Sequence, residues 1–250
     1  KKPFDYILLS ILKYKKYIKY GFILRINSCF LSNYGFGSSA AITSAVVFLL
    51  NYWLFDIKLN KINLFFISKS IISSLQKPSS GSDLAASIFG GVVYYKSYPF
   101  FIKKINLIPD IILIYSGYKK STLEVVNLIN SKLDFKNKIL FLYLINECVE
   151  NAKEAILDCD WIRLGEIFNI QNELMKFLFL SDNIFDYLYY ILKNVDNVFG
   201  SKISGSGRGD CILGLKKITY DLKCFDYLDK INVNLKEFNL SVSNDGIYFF

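Results

Sequence analysis

Three short clusters of glycine and serine have the residue types and spacing for phosphate chemistry: YGFGSSAA at 34–41, PSSGSDLA at 78–85 and SGSGRGDC at 204–211. In the first, Gly35 and Gly37 allow close backbone approach and positive φ. Ser38 and Ser39 then open an apolar run long enough for a helix, where free N–H groups and the helix dipole favour an anion. A serine hydroxyl in that place can also bind Mg²⁺ beside a phosphate, although an ordinary N-capped helix fits the same residues. The cluster is no Walker A loop, since no G-K-[ST] follows, and no dinucleotide fingerprint, since the third glycine is absent. In the second cluster Asp83 either caps a short helix or takes the proton of a substrate hydroxyl during phosphoryl transfer. In the third, Gly205, Gly207 and Gly209 form a loop whose amides suit an anion nest. Its Arg208-Gly209-Asp210 invites an adhesion reading, which the lack of a secretion signal disfavours.

The rest of the composition narrows the chemistry. The 250 residues include no histidine, which removes the commonest general base and metal ligand. Acid–base work must fall to Asp, Glu, Lys, Ser, Tyr or Cys. Cys29, Cys148, Cys159, Cys211 and Cys224 form no C-x-x-C pair, so neither a zinc site nor a disulfide framework is expected, and a cytoplasmic setting is. The net charge of +8 includes a knot at Lys13, Lys15, Lys16 and Lys19, where LKYKKYIKY interleaves basic and aromatic residues. Such a stretch can serve a nucleic-acid platform, but in so lysine-rich a chain a solvated face is expected instead, with no nucleic-acid partner. A basic surface also suits an enzyme that attracts phosphorylated substrates.

The clusters must be positioned by regular elements. Apolar residues make up 52% of the chain and charged residues 21%, enough for a packed core. Residues 1–20 read as an amphipathic helix, 21–31 as a strand and Ser39 to about Phe55 as a helix. A membrane span needs about 20 apolar residues; this run is broken by Thr43, Ser44 and Asn51 and stops at Asp56, so a buried helix and no membrane partner are expected. DLAASIF suits a short helix, GGVVYY a turn into a strand, and IILIYS at 111–116 another strand. Leu142, Ile145, Cys148, Val149, Ala152, Ala155, Ile156 and Cys159 step by three and four through a helix. Further helices follow over about Leu164–Leu180 and after the Ser181-Asp182 cap. CILGL reads as a strand, and the tail from Ile231 to Phe250 is expected to finish a sheet. A boundary near Asn106–Asp110 divides the chain into domains 1–108 and 109–250.

Taken in order, GFGSSAA, SSGSDLAASIFGG and KISGSGRGDC resemble the signature of the GHMP kinases, and YSGYKKSTLEVVN adds a match to the mevalonate-type members. The resemblance runs from about residue 30 to residue 215. It implies an α+β fold, with an N-terminal α/β sandwich, a ferredoxin-like C-terminal half and a cleft where they meet. It implies an ATP-dependent kinase, most like mevalonate kinase, with phosphomevalonate kinase, a sugar kinase or a catalytically impaired remnant as alternatives. By this resemblance Gly35, Gly37, Ser38, Ser39 and Ala40 cradle ATP, with Gly205 and Gly207 in support, and Ser39 binds Mg²⁺. Asp83 becomes the catalytic carboxylate, Ser80 and Thr122 meet a small hydroxylated substrate, and Lys119, Lys120 and Lys202 are cations able to offset its charge. A homodimer is left open. The chain departs from the family at four places, the first being the phosphate loop, where Ser32-Asn33-Tyr34 stand in place of an upstream proline and Phe36 replaces a leucine. No lysine-bearing opening segment precedes Lys1, so a missing N-terminal piece is expected. Ile72 stands where many mevalonate kinases carry a metal-binding glutamate. Arg208 and Asp210 replace small residues.

Overall fold

The computed structural model describes residues 2–28, 34–76, 79–217 and 235–248. They form two compact units, one of Lys1–Asn106 with Ser243–Phe250 and one of Leu107–Val242. The sequence boundary gives the last eight residues to the second domain, whereas the chain here returns to the first unit. Gly91 N donates to Ser243 O at 2.8 Å and Ile247 N to Ile88 O at 3.3 Å, backbone bonds that hold the return in place.

Unit 1 is mainly helical, with α1 (Lys2–Tyr14), a 3₁₀ turn (Lys15–Tyr17), α2 (Ser38–Phe55), α3 (Lys61–Leu75) and α4 (Ser82–Phe89). An antiparallel hairpin of β1 (Val92–Ser97) and β2 (Phe100–Ile105) completes it. Its core is built on Val47, Leu64, Phe65, Leu84 and Ile88, all essentially solvent-free. α2 is long and apolar enough to cross a membrane by length and composition, yet eight of its residues are buried in this unit. Its polar breaks are satisfied from within. Thr43 Oγ1 donates to Ser39 O at 2.7 Å, Ser44 Oγ to Ala40 O at 2.9 Å, and Asn51 Nδ2 to Tyr14 OH at 2.9 Å. That pairing removes the cost of burying them.

The strand expected over 21–31 is not formed by residues 21–28, and 29–31 lie outside the described residues. Phe22 packs on Trp53, ring centroids 5.1 Å apart, and Leu24 packs against the core, while the other residues of the segment are exposed. α3 has no counterpart in the sequence reading. Its isoleucines and serines are poor helix formers, and packing plus an Asn60 cap, Oδ1 accepting from Asn63 N at 2.7 Å, stabilise it.

Unit 2 sets β3 (Ile111–Tyr115), β4 (Val198–Ile203), β5 (Cys211–Lys216) and β6 (Lys236–Asn239) into one antiparallel sheet of order β4-β5-β3-β6. Its helices are α5 (Thr122–Lys132), α6 (Phe135–Leu157), α7 (Trp161–Phe177) and α8 (Asn183–Lys193). α7 packs on β4 and α6 on α7, while α8 covers β4 and β5. Ile112, Ile114, Phe185, Leu188, Ile203 and Ile212 fill the space between. α6 buries a narrower stripe than its periodicity suggests: Cys148, Ala155 and Ile156 are buried, but Leu142 and Val149 are exposed. The expected tail strand is limited to β6, with 231–234 and 249–250 outside the described residues. Among the described residues Cys148, Cys159 and Cys211 form no disulfide; Cys29 and Cys224 lie outside the described residues.

Candidate functional site

The first two glycine clusters meet in unit 1. Gly37, at φ +68, is the N-cap of α2, and a side chain there would place its Cβ 3.3 Å from Cβ of Asp83. Ser38 and Ser39 form the first two residues of α2, and Ala40 N and Ala41 N both donate to Gly37 O. Glycine offers no side-chain oxygen to cap this helix, so the Ser38 and Ser39 amides take their partners elsewhere than the N-cap. Gly35 (φ +78) lies between Tyr34 and Phe36, whose rings pack on each other with centroids 5.9 Å apart. Asp83 is exposed, in the first turn of α4, which also opens from a left-handed glycine, Gly81 at φ +90. Ser80 Oγ lies 3.0 Å from Ser82 Oγ and accepts from Ser82 N at 3.3 Å.

The same turn is held by two residues that sequence reasoning missed. Tyr95 of β1 donates its hydroxyl to Ser80 O at 2.6 Å, and Lys69 of α3 donates to Tyr95 OH at 3.2 Å. Both contacts span distant parts of the sequence, and one lysine in a lysine-rich chain gives no local signal.

Unit 2 brings the other two motifs together. Gly209 lies so near the Ser116–Ser121 turn that a Cβ would fall 2.8 Å from Lys119 Cα and Lys120 N. Asp210 N donates to Tyr118 O, while Ser116 N and Oγ both donate to Asp210 O, each at 2.9 Å. Gly205 (φ +75) opens the loop, and Gly207 packs on Leu180. Thr122 follows as the half-buried first residue of α5, whose start is fixed by a reciprocal Ser121–Glu124 capping box. Arg208 and Asp210 have structural employment. Arg208 Nε donates to Phe179 O at 2.7 Å, and Asp210 Oδ1 lies 3.0 Å from Lys119 Nζ. That oxygen is buried without a well-aligned donor, so the Lys119 charge is what offsets it. Tyr118 OH donates to Asp182 Oδ2, and burial together with this carboxylate raises the Tyr118 pKa.

Of the three expected cations, Lys119 is therefore engaged with Asp210 and Lys120 is exposed. Lys202 is turned into the helical layer: its ammonium donates to Ile203 O at 3.1 Å and stands 5.8 Å from the Phe168 ring centroid. Desolvation brings its pKa down to about 8. The residue as a whole is only partly buried, although its ammonium is enclosed.

Charge is divided unevenly between the units. Unit 1 has 14 Lys and Arg against four Asp and no Glu, a net +10; unit 2 has 16 against 18 acidic residues, a net −2. A glycine-opened helix within the basic unit fits a nucleotide's phosphates. The fit to Mg²⁺ is narrower. Among the described residues no group of three or more acidic, cysteine or histidine side chains could hold a metal, and Ile72 is buried in the core of unit 1. The donors near α2 are the Ser39 hydroxyl and the Asp83 carboxylate, a set suited to a hard cation that brings most of its oxygens with phosphate and water.

Residues 5–91 match the GHMP kinases N terminal domain. The mevalonate kinase of Pyrococcus abyssi is 29% identical over 188 residues, 72% of this chain and 55% of its own. The chain spans about half the length of the curated relatives it matches. The crystal structure of Methanococcus jannaschii mevalonate kinase aligns with a TM-score of 0.75 at 22% identity, covering 94% of this chain and 74% of that one. The homoserine kinase of Cytophaga hutchinsonii aligns with a TM-score of 0.76 at 21% identity, covering 97% and 77%. The expected resemblance to the GHMP kinases, mevalonate kinase above all, and the expected α+β fold are both borne out. Since the fold is shared by proteins named for different substrates, it does not choose among those substrates.

Proposed function

We propose that this chain is an ATP-dependent kinase that transfers the γ-phosphate to a primary hydroxyl of a small acid, with mevalonate as the first substrate to test. The observation that carries the reading is the apposition of Gly37 and Asp83, with 3.3 Å between Asp83 Cβ and the point where a Cβ on Gly37 would lie. A glycine-opened helix start, which suits phosphate, thereby stands against the one carboxylate that the GHMP motifs assign to proton removal. Gly35 to Ala40 would hold the phosphates, Ser39 would share Mg²⁺ with them, and Ser80 would lie at the substrate. Magnesium supplies charge neutralisation of the phosphates when bound. Thr122, Gly205 and Gly207 are proposed to serve the same reaction from unit 2. The proposed setting is cytoplasmic, and phosphomevalonate, homoserine and sugars remain competing substrates.

The test is a coupled ADP-release assay with Mg-ATP against mevalonate, phosphomevalonate, homoserine and galactose, on the wild type and on Asp83→Asn. Turnover with mevalonate that falls about a thousandfold in Asp83→Asn is the expected outcome, within the range that general-base loss produces. Wild-type turnover on galactose alone would displace the acid substrate. The buried Ile72 gives a second reading some weight, a nucleotide-binding protein with little catalysis. Nucleotide binding by calorimetry with no turnover on any acceptor would select it.

A further inference from the structure

The turn that carries Asp83 is held from behind by a directed chain of hydrogen bonds. An ammonium can only donate, so Lys69 Nζ must give a proton to Tyr95 OH. The Tyr95 hydroxyl then has its own proton to give, and it points at Ser80 O, 2.6 Å away. The polarity of the chain is fixed by chemistry: Lys69 to Tyr95 to the backbone of the turn. A charged donor strengthens the bond beyond it, because it polarises the hydroxyl in the middle.

Packing fixes the same geometry. Gly81 is buried at φ +90, and a Cβ there would lie 3.1 Å from Phe65 Cζ, 3.1 Å from Tyr95 OH and 3.4 Å from Lys69 Cδ. The Lys69 ammonium also lies 5.6 Å from the Phe65 ring centroid and 6.0 Å from that of Tyr95. Among the described residues it has no carboxylate partner, so its charge is not diverted from the chain. Gly81 O in turn accepts from Ala85 N at 2.9 Å, which carries the constraint into the first turn of α4.

The geometry points to Lys69 and Tyr95 as positioning residues. They fix the Ser80–Gly81 turn and thereby the place of Asp83 against Gly37. This rests on the kinase reading for its consequence in turnover, but the clamp itself does not.

Two readouts test it on the full chain. In Tyr95→Phe, which keeps the ring, and in Lys69→Met, amide hydrogen exchange at Gly81–Ala85 should speed at least tenfold. Turnover should fall about ten- to a hundredfold with KM for ATP unchanged, as expected for a displaced group, and Lys69→Arg should recover most of it. Unchanged exchange in Tyr95→Phe overturns the inference, as does faster exchange with unaltered kcat in an active enzyme. If the wild type turns over no acceptor, the kinase reading fails alone. The clamp is then decided by the exchange rates together with the Asp83 carboxyl ¹³C shift, which must move in Tyr95→Phe for the inference to stand.

Discussion

In unit 2, α5, α6, α7 and α8 each begin on a side-chain oxygen that accepts a first-turn amide, from Ser121, Asp134, Asp160 and Asp182. In unit 1, α2 and α4 begin on Gly37 and Gly81, which have no side-chain oxygen to give. The contrast is local to the glycine motifs, because α3 in the same unit is capped by Asn60. A side-chain cap typically contributes about 1 kcal/mol. Two helix starts in the basic unit thus lack an N-cap side chain, with only Ser80 Oγ, one residue before Gly81, accepting from Ser82 N at α4, and they give up that stabilisation where an anion could replace it. The capped starts serve the fold; the glycine starts are the place to look for chemistry.

The strongest way to break that distinction is Gly37→Ala. The left-handed conformation costs a non-glycine residue about 1–2 kcal/mol, and the new Cβ would press on Asp83, so one of the two must shift. Turnover should fall about ten- to a hundredfold, with thermal denaturation showing only the backbone cost. Unaltered kcat would mean that the Gly37–Asp83 contact has no catalytic meaning. The counterpart in unit 2 is Asp182→Ala, which removes the acceptor of Ile184 N and Phe185 N and of the Tyr118 hydroxyl. Urea titration should show a loss of about 2–3 kcal/mol, the sum expected for a lost cap and a stranded buried donor, and kcat of the folded protein should fall far less than in Gly37→Ala. A collapse of kcat at unchanged stability would reverse the assignment of roles.

How much of this was legible in the sequence depended on the range of the interaction. The helix starts expected at Ser39 and Asp83 fall one residue from those at Ser38 and Ser82, because glycine, serine and periodicity are local signals. The Ser121–Glu124 capping box is equally local. α3 was missed because its isoleucines and serines have no clear helical preference and packing in unit 1 decides. β4 was missed because SKIS runs into the glycine loop, and its strand character comes from pairing with β5. The strand expected over 21–31 fails over 21–28 for the opposite reason: the residue types suit a strand, but among the described residues no partner strand pairs with it, and Phe22 and Leu24 pack while its other residues are exposed. Lys69, Tyr95 and the Lys119–Asp210 pair join residues far apart in sequence, and no local pattern announces them.

The comparison extends to two partly enclosed lysines, and the smallest predicted effect concerns the one in unit 2. Lys69 donates to Tyr95 OH, which donates in turn to Ser80 O, whereas among the described residues Lys202 donates only to Ile203 O and faces Phe168. Desolvation lowers the Lys202 pKa from 10.5 to about 8, with Cys148 opposing the shift more weakly. Between about 8 and 10.5 the unfolded chain therefore holds a proton that the folded chain has released. Stability from this group rises with pH across that window, and below it the folded protein carries the full cost of an enclosed ammonium. The shift sets an upper bound of about 3 kcal/mol, reduced by the bond to Ile203 O and by solvent screening of a residue that is only partly buried. Lys202→Met keeps the apolar stem and removes the charge, so it should stabilise the protein by about 1–2 kcal/mol at pH 7. Urea midpoints at pH 7 and pH 10.5 measure the variant against the wild type, and the gap should shrink at the higher pH. A variant less stable than the wild type at pH 7 would show that the Ile203 and Phe168 contacts outweigh desolvation. Lys202 would then join the residues that hold unit 2 together, rather than being a charge the unit tolerates.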